Sequence, residues 1–360
     1  MSPFDPALTV PPREAPSYVL WEITRACNLR CAHCAAGAGR RREGELSTAE
    51  ALALCDELAD LGVPAVCLMG GEPLVRRDWP ELARRLRQRG VAVGVVTNGW
   101  LLDGRAAGVM EDLGVCQVGT SLDAADPGLH DRMRGRPGAH RRALQAIDRI
   151  RGMSLDYRTV ITSVSRTNLA ELPALADLLA RRAPGFTWMV NVTSGHDPDR
   201  MDPGLLLGPE GFLALARFIA DQRTALRGRL EVTGTHDLGY FSRDFQDLHD
   251  FRWHGCVAGL ETLGIRSDGD VAGCLVMDDD FVEGNVRRRR LRELWEDPSA
   301  FAYNRRFTPD LLEGACSGCV HGRECRGGCR DHAASFTGRR FDYPFCLHRI
   351  ERDREEAARG

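Results

Sequence analysis

Three cysteines near the start of the chain, Cys27, Cys31 and Cys34, are spaced C-x3-C-x2-C. An odd number of thiols cannot pair off as disulfides, and a structural zinc site takes four protein ligands. Three thiolates instead suit a metal centre that keeps one position open for another molecule. Thiolate loops of this kind also hold iron–sulfur clusters, in which several irons share the charge. We therefore expect a [4Fe–4S] cluster here, with zinc as the less favoured alternative.

A second group of cysteines lies in the last third of the chain. It consists of Cys256, Cys274, Cys316, Cys319, Cys325, Cys329 and Cys346. Three others, Cys55, Cys67 and Cys116, fall in apolar helix or strand patterns and are expected to be buried thiols. Clustered cysteines in a chain without a secretion signal indicate metal binding. A zinc ribbon and a purely structural cluster are the alternatives for this group.

The composition of the 360-residue chain argues against several classes of function. Its net charge is −3 and the charges are mixed along the sequence, so no basic face indicates nucleic-acid binding. The run Arg287–Arg290 is short and is expected to form a solvated helix start. No apolar run approaches the roughly 18 residues of a membrane span. The N-terminus does not resemble a signal peptide, and we expect a cytoplasmic protein.

Short apolar runs alternate with amphipathic helices from residue 18 to about residue 193. The predicted strands are Tyr18–Thr24, Ala65–Met69, Val91–Thr97, Cys116–Leu122, Tyr157–Val164 and Phe186–Val192. The predicted helices cover about residues 48–61, 79–89, 106–113, 140–151, 172–182 and 209–226, and the first begins with a capping box at Ser47 and Glu50. Repeated β-α units imply a parallel sheet, and six are too few to close an eight-stranded barrel. The predicted fold is therefore α/β, a partial (β/α)6 TIM-like barrel with its active site at the carboxyl ends of the strands.

The domain boundaries follow from changes in this pattern. We expect an extended lead-in over residues 1–17, the barrel over 18–227, a weakly patterned connector over 228–255, a cysteine-rich domain over 256–350 and a tail over 351–360. The cysteine-rich part has one clear helix, from Leu291 through Trp295 onwards. Because long periodic elements are scarce there, its cysteines are expected to organise it.

Short polar motifs follow four of the predicted strands. They are GGEP at Gly70–Pro73, TNGW at Thr97–Trp100, SLDA at Ser121–Ala124 and VSRTN ending at Asn168. Each motif alone is more often a turn or a helix cap. Four of them in order, at the strand edge that also carries the cysteine loop, indicate a ligand site. The glycines would let backbone approach a ligand closely, and Glu72 offers an acceptor for an ammonium group.

The cysteine loop and these motifs resemble the radical S-adenosylmethionine (SAM) superfamily. The resemblance implies that the free iron of the first cluster binds SAM, and that the reduced cluster cleaves SAM to a 5′-deoxyadenosyl radical that abstracts hydrogen from the substrate. It further implies cofactor contacts from Gly70, Gly71, Glu72, Pro73, Asn98, Ser121, Asp123, Arg134 and Asn168. Arg132 is the alternative to Arg134 as the arginine that contacts SAM. His33 is expected to pack beside the cluster rather than bind it.

The C-terminal cysteines, with their C-x2-C-x5-C-x3-C run from residue 316 to 329, resemble the SPASM domain, which carries auxiliary iron–sulfur clusters. The resemblance implies two sets of ligands: Cys316, Cys319, Cys325 and Cys346 for the second auxiliary cluster, and Cys256, Cys274 and Cys329 for the first. Thr262, beside Glu261, stands where some relatives have a fourth cysteine, so the first auxiliary cluster is expected to have an open iron, a non-cysteine ligand or a substrate. Leu275 stands where sulfatase-maturing relatives place an aspartate, and Asp278–Asp280 are expected to form a solvated turn.

SPASM relatives commonly modify ribosomal peptides, so the first hypothesis is an enzyme that oxidises or cross-links a peptide or protein. Because about 17 residues precede the first strand, no leader-binding domain is expected, and either a separate protein recognises the leader or the substrate is small. A reductant such as flavodoxin or ferredoxin is implied. The opening LWEITRACNLRC also resembles relatives that process tetrapyrroles, so haem-type decarboxylation is the alternative. A scaffold that has lost catalysis is a third hypothesis, which the intact motifs oppose.

Overall fold

The computed structural model describes residues 12–194, 203–235 and 253–359, together with residues 238, 241–246, 248 and 249. Its strands are β1 (Tyr18–Thr24), β2 (Ala65–Gly70), β3 (Ala92–Thr97), β4 (Gln117–Ser121), β5 (Tyr157–Val164), β6 (Thr187–Val192), β7 (Glu231–Gly234), β8 (Thr262–Ile265), β9 (Asp270–Ala272) and β10 (Gly284–Asn285). They form one sheet in the order β10-β9-β8-β1-β2-β3-β4-β5-β6-β7.

Strands β1 to β7 are all parallel to their neighbours and form the open barrel that the sequence predicts. All six predicted strands are present, and β1 and β5 have the predicted bounds. The seventh strand, β7, lies inside the predicted connector and pairs with β6. A strand of four residues is too short to show a recognisable alternation of buried and exposed side chains, which explains why the sequence pattern does not reveal it.

The other edge of the barrel is extended by the cysteine-rich region. Strand β8 pairs parallel with β1, with Tyr18 opposite Thr262. An antiparallel meander of β8, β9 and β10 then continues the sheet. The buried Glu22 of β1 strengthens this junction, because its carboxylate accepts hydrogen bonds from the backbone nitrogen (3.1 Å) and hydroxyl (2.7 Å) of Ser267. The barrel and the cysteine-rich region therefore share one sheet.

Helices cover the outer face of the barrel and fill the C-terminal region. They are α1 (Thr48–Leu61), α2 (Trp79–Gln88), α3 (Gly104–Asp112), α4 (Pro127–Arg134), α5 (Ala139–Gly152), α6 (Leu172–Arg182), α7 (Pro209–Ala225), α8 (Leu291–Glu296), α9 (Ala302–Arg305), α10 (Gly322–Cys325), α11 (Arg330–Thr337) and α12 (Leu347–Arg359). The capping box at Ser47 is present, and Gly62 ends α1 in the left-handed conformation. Apolar side chains of α1, α2, α5, α6 and α7 pack on the strands in the main core.

Helix α4 is absent from the sequence prediction, although its signals are in the sequence. Asp126 caps it by accepting a hydrogen bond from Leu129, Pro127 occupies its first position, and Gly135 ends it in the left-handed conformation. The helix positions Arg134 next to the cysteine loop. The helix that the sequence pattern does not reveal is therefore part of the candidate site.

The C-terminal region is more helical than predicted. Beyond α8, which the sequence indicates, it contains α9 to α12, and the predicted boundary at residue 350 falls inside α12. The first residues of α12 that are buried, Leu347 and Ile350, join the main core, so the helix docks rather than forming a free tail. Glu351 of α12 also accepts hydrogen bonds from Ser242 and from the backbone of Arg243. Within the described residues no helix is both long and apolar enough to cross a bilayer.

Candidate active site

The three cysteines of the first motif lie in the loop that follows β1. Each sulfur receives an N–H donor: Leu29 donates to Cys27 at 3.4 Å, Ala38 to Cys34 at 3.3 Å, and the Arg134 guanidinium to Cys31 at 3.8 Å. Burial raises the pKa of Cys27 to about 11. A thiolate at this position therefore needs positive charge nearby, which a metal centre supplies.

Backbone hydrogen bonds fix the shape of this loop. Cys27 donates to the carbonyl of Gly39 at 3.2 Å, and Arg30 donates to the carbonyl of Arg134 at 3.2 Å, while Ala32 donates to the carbonyl of Met133 at 3.0 Å. The loop is thus closed on itself at one end and docked on the last turn of α4 at the other. The sulfur positions depend on α4 as much as on β1.

The GGEP motif packs directly on the entrance to the cysteine loop. A Cβ added to Gly70 would lie 2.1 Å from the carbonyl oxygen of Thr24, and one added to Gly71 would lie 2.4 Å from that of Ala26. The backbone of Gly71 donates to Thr24, and that of Glu72 to Ala26, both at 2.9 Å. Both glycines are therefore required by close contact with the chain that leads into the cysteines. Pro73, which is buried, begins a short 3-10 helix at Pro73–Val75.

Glu72 is fully buried and its carboxylate is bonded within the chain. It accepts from the Thr97 hydroxyl at 2.8 Å, from the Asn98 backbone at 2.7 Å and from the Leu74 backbone at 3.1 Å. Burial raises its pKa to about 7 although these donors lower it. Its observed role is to join the ends of β2 and β3, and a direct contact with an ammonium group stays a prediction.

Asn98 connects the TNGW motif to the cysteine loop. Its amide nitrogen donates to Asn28 at 2.7 Å and lies 3.7 Å from the sulfur of Cys27, and its side-chain oxygen accepts from Trp100. The residue therefore orients the first cysteine.

Asp123 and Arg134 form a buried ion pair behind the cysteine loop. The Arg134 guanidinium donates to the Asp123 carboxylate in two hydrogen bonds of 2.6 and 2.9 Å, and Asp123 is 0% exposed. Burial acts to raise the pKa of Asp123, but Arg134 holds it at about 2. The buried His33 lies 3.5 Å from the same carboxylate, and burial lowers its pKa to about 4, so it is neutral at pH 7. Arg132, by contrast, is exposed, so Arg134 is the arginine at this site.

Ser121 and Asn168 complete the strand-end motifs. Ser121 is the last residue of β4 and is half-buried. Asn168 is fully buried, and its amide donates to the carbonyls of Asp123 (2.8 Å) and Ser163 (3.0 Å), so it ties the end of β5 to the SLDA motif. The structure thus brings the four predicted motifs to one rim, around the cysteine loop.

The C-terminal cysteines form two groups. Cys316, Cys319, Cys325 and Cys346 line a single cavity, which supports their prediction as one ligand set. Cys256 and Cys329 are buried and Cys274 is partly buried, and burial raises the pKa of Cys329. The hydroxyl of Thr262 donates to the carbonyl of Gly273, next to Cys274, whereas Glu261 pairs with Arg13. The remaining cysteines Cys55 and Cys67 are buried and Cys116 is partly buried.

A cavity of about 420 Å³ separates the first cysteine loop from the segment after Cys274. One side is lined by Ala35, Ala36 and Gly37, which follow Cys34, and the other by Leu275, Val276 and Met277. The positively charged residues of its lining are Arg25, Arg42 and Arg266, and the negatively charged ones are Glu22 and Asp278–Asp280. Sequence reasoning missed Arg25, although its position directly after β1 and two residues before Cys27 is a usable signal.

Comparison with known proteins agrees with this architecture. Residues 21–179 match the family model of the radical SAM superfamily, and residues 256–320 match that of the SPASM iron–sulfur cluster-binding domain. The AdoMet-dependent heme synthase of Methanosarcina barkeri is 31% identical over 356 residues, which cover 93% of this chain and 97% of that protein. The mycofactocin maturase MftC of Mycobacterium tuberculosis is 31% identical over 340 residues, covering 92% and 82%. Streptococcus suis SuiB bound to S-adenosylmethionine matches with a TM-score of 0.73 at 18% identity, covering 92% and 77%, and so supports the fold.

An open α/β barrel with a three-cysteine loop at its rim and a cysteine-rich C-terminal region defines a class of iron–sulfur enzymes. The chain belongs to the radical SAM superfamily and carries a SPASM domain. Membership implies iron–sulfur clusters and SAM, and the three first-loop thiols, each with an N–H donor, fit a cluster with anionic sulfurs. When bound and reduced, that cluster supplies the electron that cleaves SAM.

Proposed function

We propose that this enzyme acts on a tetrapyrrole, removing CO2 from a propionate side chain. The observation that carries the proposal is the cavity between the first cysteine loop and the segment after Cys274, with an arginine on its wall. The similarity to a heme synthase over 97% of that protein's length supports the same substrate class. This reverses the order of the two hypotheses that the sequence suggests.

Arg25 is the residue that we assign to the substrate carboxylate. Its Nε donates to the carbonyl of Ala36 at 3.2 Å, which fixes the side chain against the loop after Cys34. Among the described residues no carboxylate lies within ion-pair distance of Arg25, whereas Arg42 pairs with Glu22 and Asp268. A fixed guanidinium with a free face binds a carboxylate through two parallel hydrogen bonds.

The reaction requires an electron acceptor as well as a hydrogen-atom acceptor. Taking one hydrogen atom from the side-chain carbon next to the ring, and then releasing CO2 and one electron, converts a propionate into a vinyl group. The 5′-deoxyadenosyl radical would take the hydrogen atom. Cys274 directly precedes Leu275, which lines the cavity. Cys274 belongs to the cysteine set that we propose for an auxiliary cluster, and this cluster would receive the electron.

The contacts to SAM form part of the proposal. Gly70, Gly71, Ser121 and Asn168 stand at strand ends beside the cysteine loop, where SAM would lie. Asp123 and Arg134 would act on the cluster through Cys31 and would keep the loop in register. We also propose two auxiliary clusters, held by Cys256, Cys274 and Cys329 and by Cys316, Cys319, Cys325 and Cys346, and a reductant such as flavodoxin or ferredoxin.

The test uses anaerobic, reconstituted protein with dithionite, SAM and an iron porphyrin that carries propionate groups. Mass spectrometry should detect loss of CO2 from the porphyrin, with formation of 5′-deoxyadenosine. Arg25→Met should raise the KM for the porphyrin about tenfold or more, in line with the loss of one charge-assisted pair, and leave substrate-free SAM cleavage unchanged. The exposed Arg132→Met is the matched control. SAM cleavage without change in any iron porphyrin would refute the substrate and leave the enzyme class intact.

Peptide maturation is the second candidate function, because MftC is as similar in identity as the heme synthase. In this case the cavity would receive a peptide carboxylate. Mass spectrometry of a candidate precursor peptide, incubated under the same conditions, distinguishes the two. A modified peptide together with an unmodified porphyrin would favour this second candidate.

A further inference from the structure

Arg330, the first residue of α11, is 0% exposed and among the largest fully buried side chains of the protein. A guanidinium stays protonated at any physiological pH, and burying it is unfavourable unless an anion compensates the charge. Among the described residues no carboxylate pairs with it. Its Nη1 donates to the carbonyl of Gly328 at 3.3 Å, and its Nε and Nη2 have no hydrogen-bond partner.

The surroundings of Arg330 indicate which anionic groups could compensate its charge. Two aromatic rings lie against it, with the guanidinium carbon 4.2 Å from the Phe341 ring centre and 5.9 Å from that of Phe307. Such cation–π contacts are weaker than the cost of burying a full charge. Arg330 directly follows Cys329, a member of the first auxiliary set. Its hydrogen-bond partner Gly328 lines the cavity of the second set together with Cys325, so Arg330 is adjacent to both sets.

A second buried arginine occupies the same region. Arg326 is 5% exposed, and its backbone holds the left-handed conformation (φ 55°), which is costly for a residue with a side chain. Its Nε donates to the carbonyl of His254, two residues before Cys256, at 2.9 Å. Its Nη1 has no partner among the described residues, and the charges of Cys256, Cys325 and Glu261 act on the guanidinium. Arg326 and Arg330 also repel each other. Two like charges buried together require negative charge between them.

We propose that Arg326 and Arg330 are a buried cationic pair between the two auxiliary clusters, and that this pair raises the clusters' reduction potentials. Net charge and hydrogen bonds to the sulfurs set the potential of an iron–sulfur cluster, and positive charge favours the reduced, more negative state. The pair would therefore prepare the clusters to accept the electron that the substrate releases. This inference rests on the proposed auxiliary clusters, and it assigns positioning and tuning roles, not catalytic ones.

The experiment is a redox titration of the full-length chain followed by electron paramagnetic resonance. Replacing Cys27, Cys31 and Cys34 by Ala removes the first cluster, so that the auxiliary signals are read alone. In this background, Arg330→Gln should lower the ratio of reduced to oxidised auxiliary cluster at least tenfold at the parent midpoint potential, which for one electron corresponds to about 59 mV. Arg330→Lys keeps the charge and should stay within about threefold.

Arg305→Gln is the matched control. Arg305 is also buried and lies over two rings, those of Trp295 and Phe301. It donates to three backbone carbonyls, and the charges that act on it are those of Glu283, Tyr303 and Asp297. Its replacement should leave the auxiliary potentials unchanged. If Arg330→Gln does not fold or load iron, Arg326→Gln decides, since it should shift the same signal in the same direction.

Two results would overturn the inference, and they differ from each other. Unchanged potentials in iron-loaded Arg330→Gln and Arg326→Gln would refute the cationic pair while leaving the clusters in place. Absence of auxiliary iron from the parent protein would instead refute the auxiliary clusters themselves, and with them the electron acceptor of the proposed reaction.

Discussion

Replacement of Arg134 by Met should destabilise the protein far more than the loss of a surface ion pair. Arg134 donates twice to Asp123, whose carboxylate is 0% exposed. The pKa of Asp123 falls from 3.8 to about 2 even though burial opposes this change. Two units of pKa correspond to roughly 2.5 kcal/mol at pH 7. Removing one partner also leaves the other charge buried without compensation, so we expect a total cost of about 3–5 kcal/mol.

Urea denaturation, followed by circular dichroism on iron-free, reduced protein, measures this cost. The double variant Asp123→Asn/Arg134→Met should be less destabilised than the sum of its single variants, because it leaves no buried charge. Arg85→Met, which removes the exposed pair with Asp56, is the control and should shift the midpoint little. Additive single effects, or a cost below about 1 kcal/mol for Arg134→Met, would show that the pair does not stabilise the loop region as argued.

The pH dependence gives an independent check. In the parent protein the pKa of His33 is lowered to about 4 by burial, so the stability from neutral His33 is present above its unfolded pKa of about 6.5 and is lost as the pH falls towards 4. Without Arg134, the Asp123 carboxylate is a buried charge without compensation. The pKa of Asp123, or that of His33 beside it, should therefore rise in the folded protein. Arg134→Met should therefore lose less stability than the parent between pH 7 and pH 5, or gain some. The same slope in both proteins would contradict this account.

Three further predictions concern residues of the barrel. Gly71→Ala should prevent stable iron loading, because the added Cβ would lie 2.4 Å from the carbonyl oxygen of Ala26. Gly108→Ala is the control: this position lies in open space inside α3, so the substitution should raise the stability to thermal unfolding by up to about 1 kcal/mol. Glu72→Gln should remove one pH dependence of the folding stability. Burial raises the pKa of Glu72 from 4.5 to about 7, so its stabilising contribution of about 3 kcal/mol is present below pH 4.5 and is lost as the pH rises through 7. The stabilities of parent and variant, measured by urea titration, should therefore diverge over this range. Cys67→Ala should leave the iron content unchanged, because Cys67 is buried in the barrel strand β2; loss of iron would make it a ligand.

The barrel could be predicted from the sequence because its elements carry strong local signals. The apolar runs of β1 and β5 match the observed bounds, and Ser47 with Glu50 marks the start of α1. Cysteine spacing and strand-end motifs were equally informative, because a ligand site at a barrel rim requires specific residue types at fixed places. The SPASM helices α9 to α12 were not predicted, since segments organised around cysteines have little apolar periodicity.

The sequence pattern does not predict contacts that depend on tertiary structure. An arginine such as Arg330 is expected at the surface on composition alone, and only packing reveals that it is buried against aromatic rings, directly after Cys329. Glu72 illustrates the converse, since a motif glutamate suggested an ammonium ligand and the structure bonds it to Thr97 and Asn98. The partners of a side chain follow from the way strand ends meet, which spacing alone does not give.

The pairing of β8 with β1 has a consequence for how the protein is made. Ser17, just before β1, bonds to Glu261, which is 244 residues later, and β8 follows directly. During synthesis β1 is therefore completed long before β8 exists. Until then, the edge of β1 that will pair with β8 has unpaired backbone groups, which can pair incorrectly with other strands. A ribosome stalled before residue 262 should therefore leave a chain that is prone to aggregation.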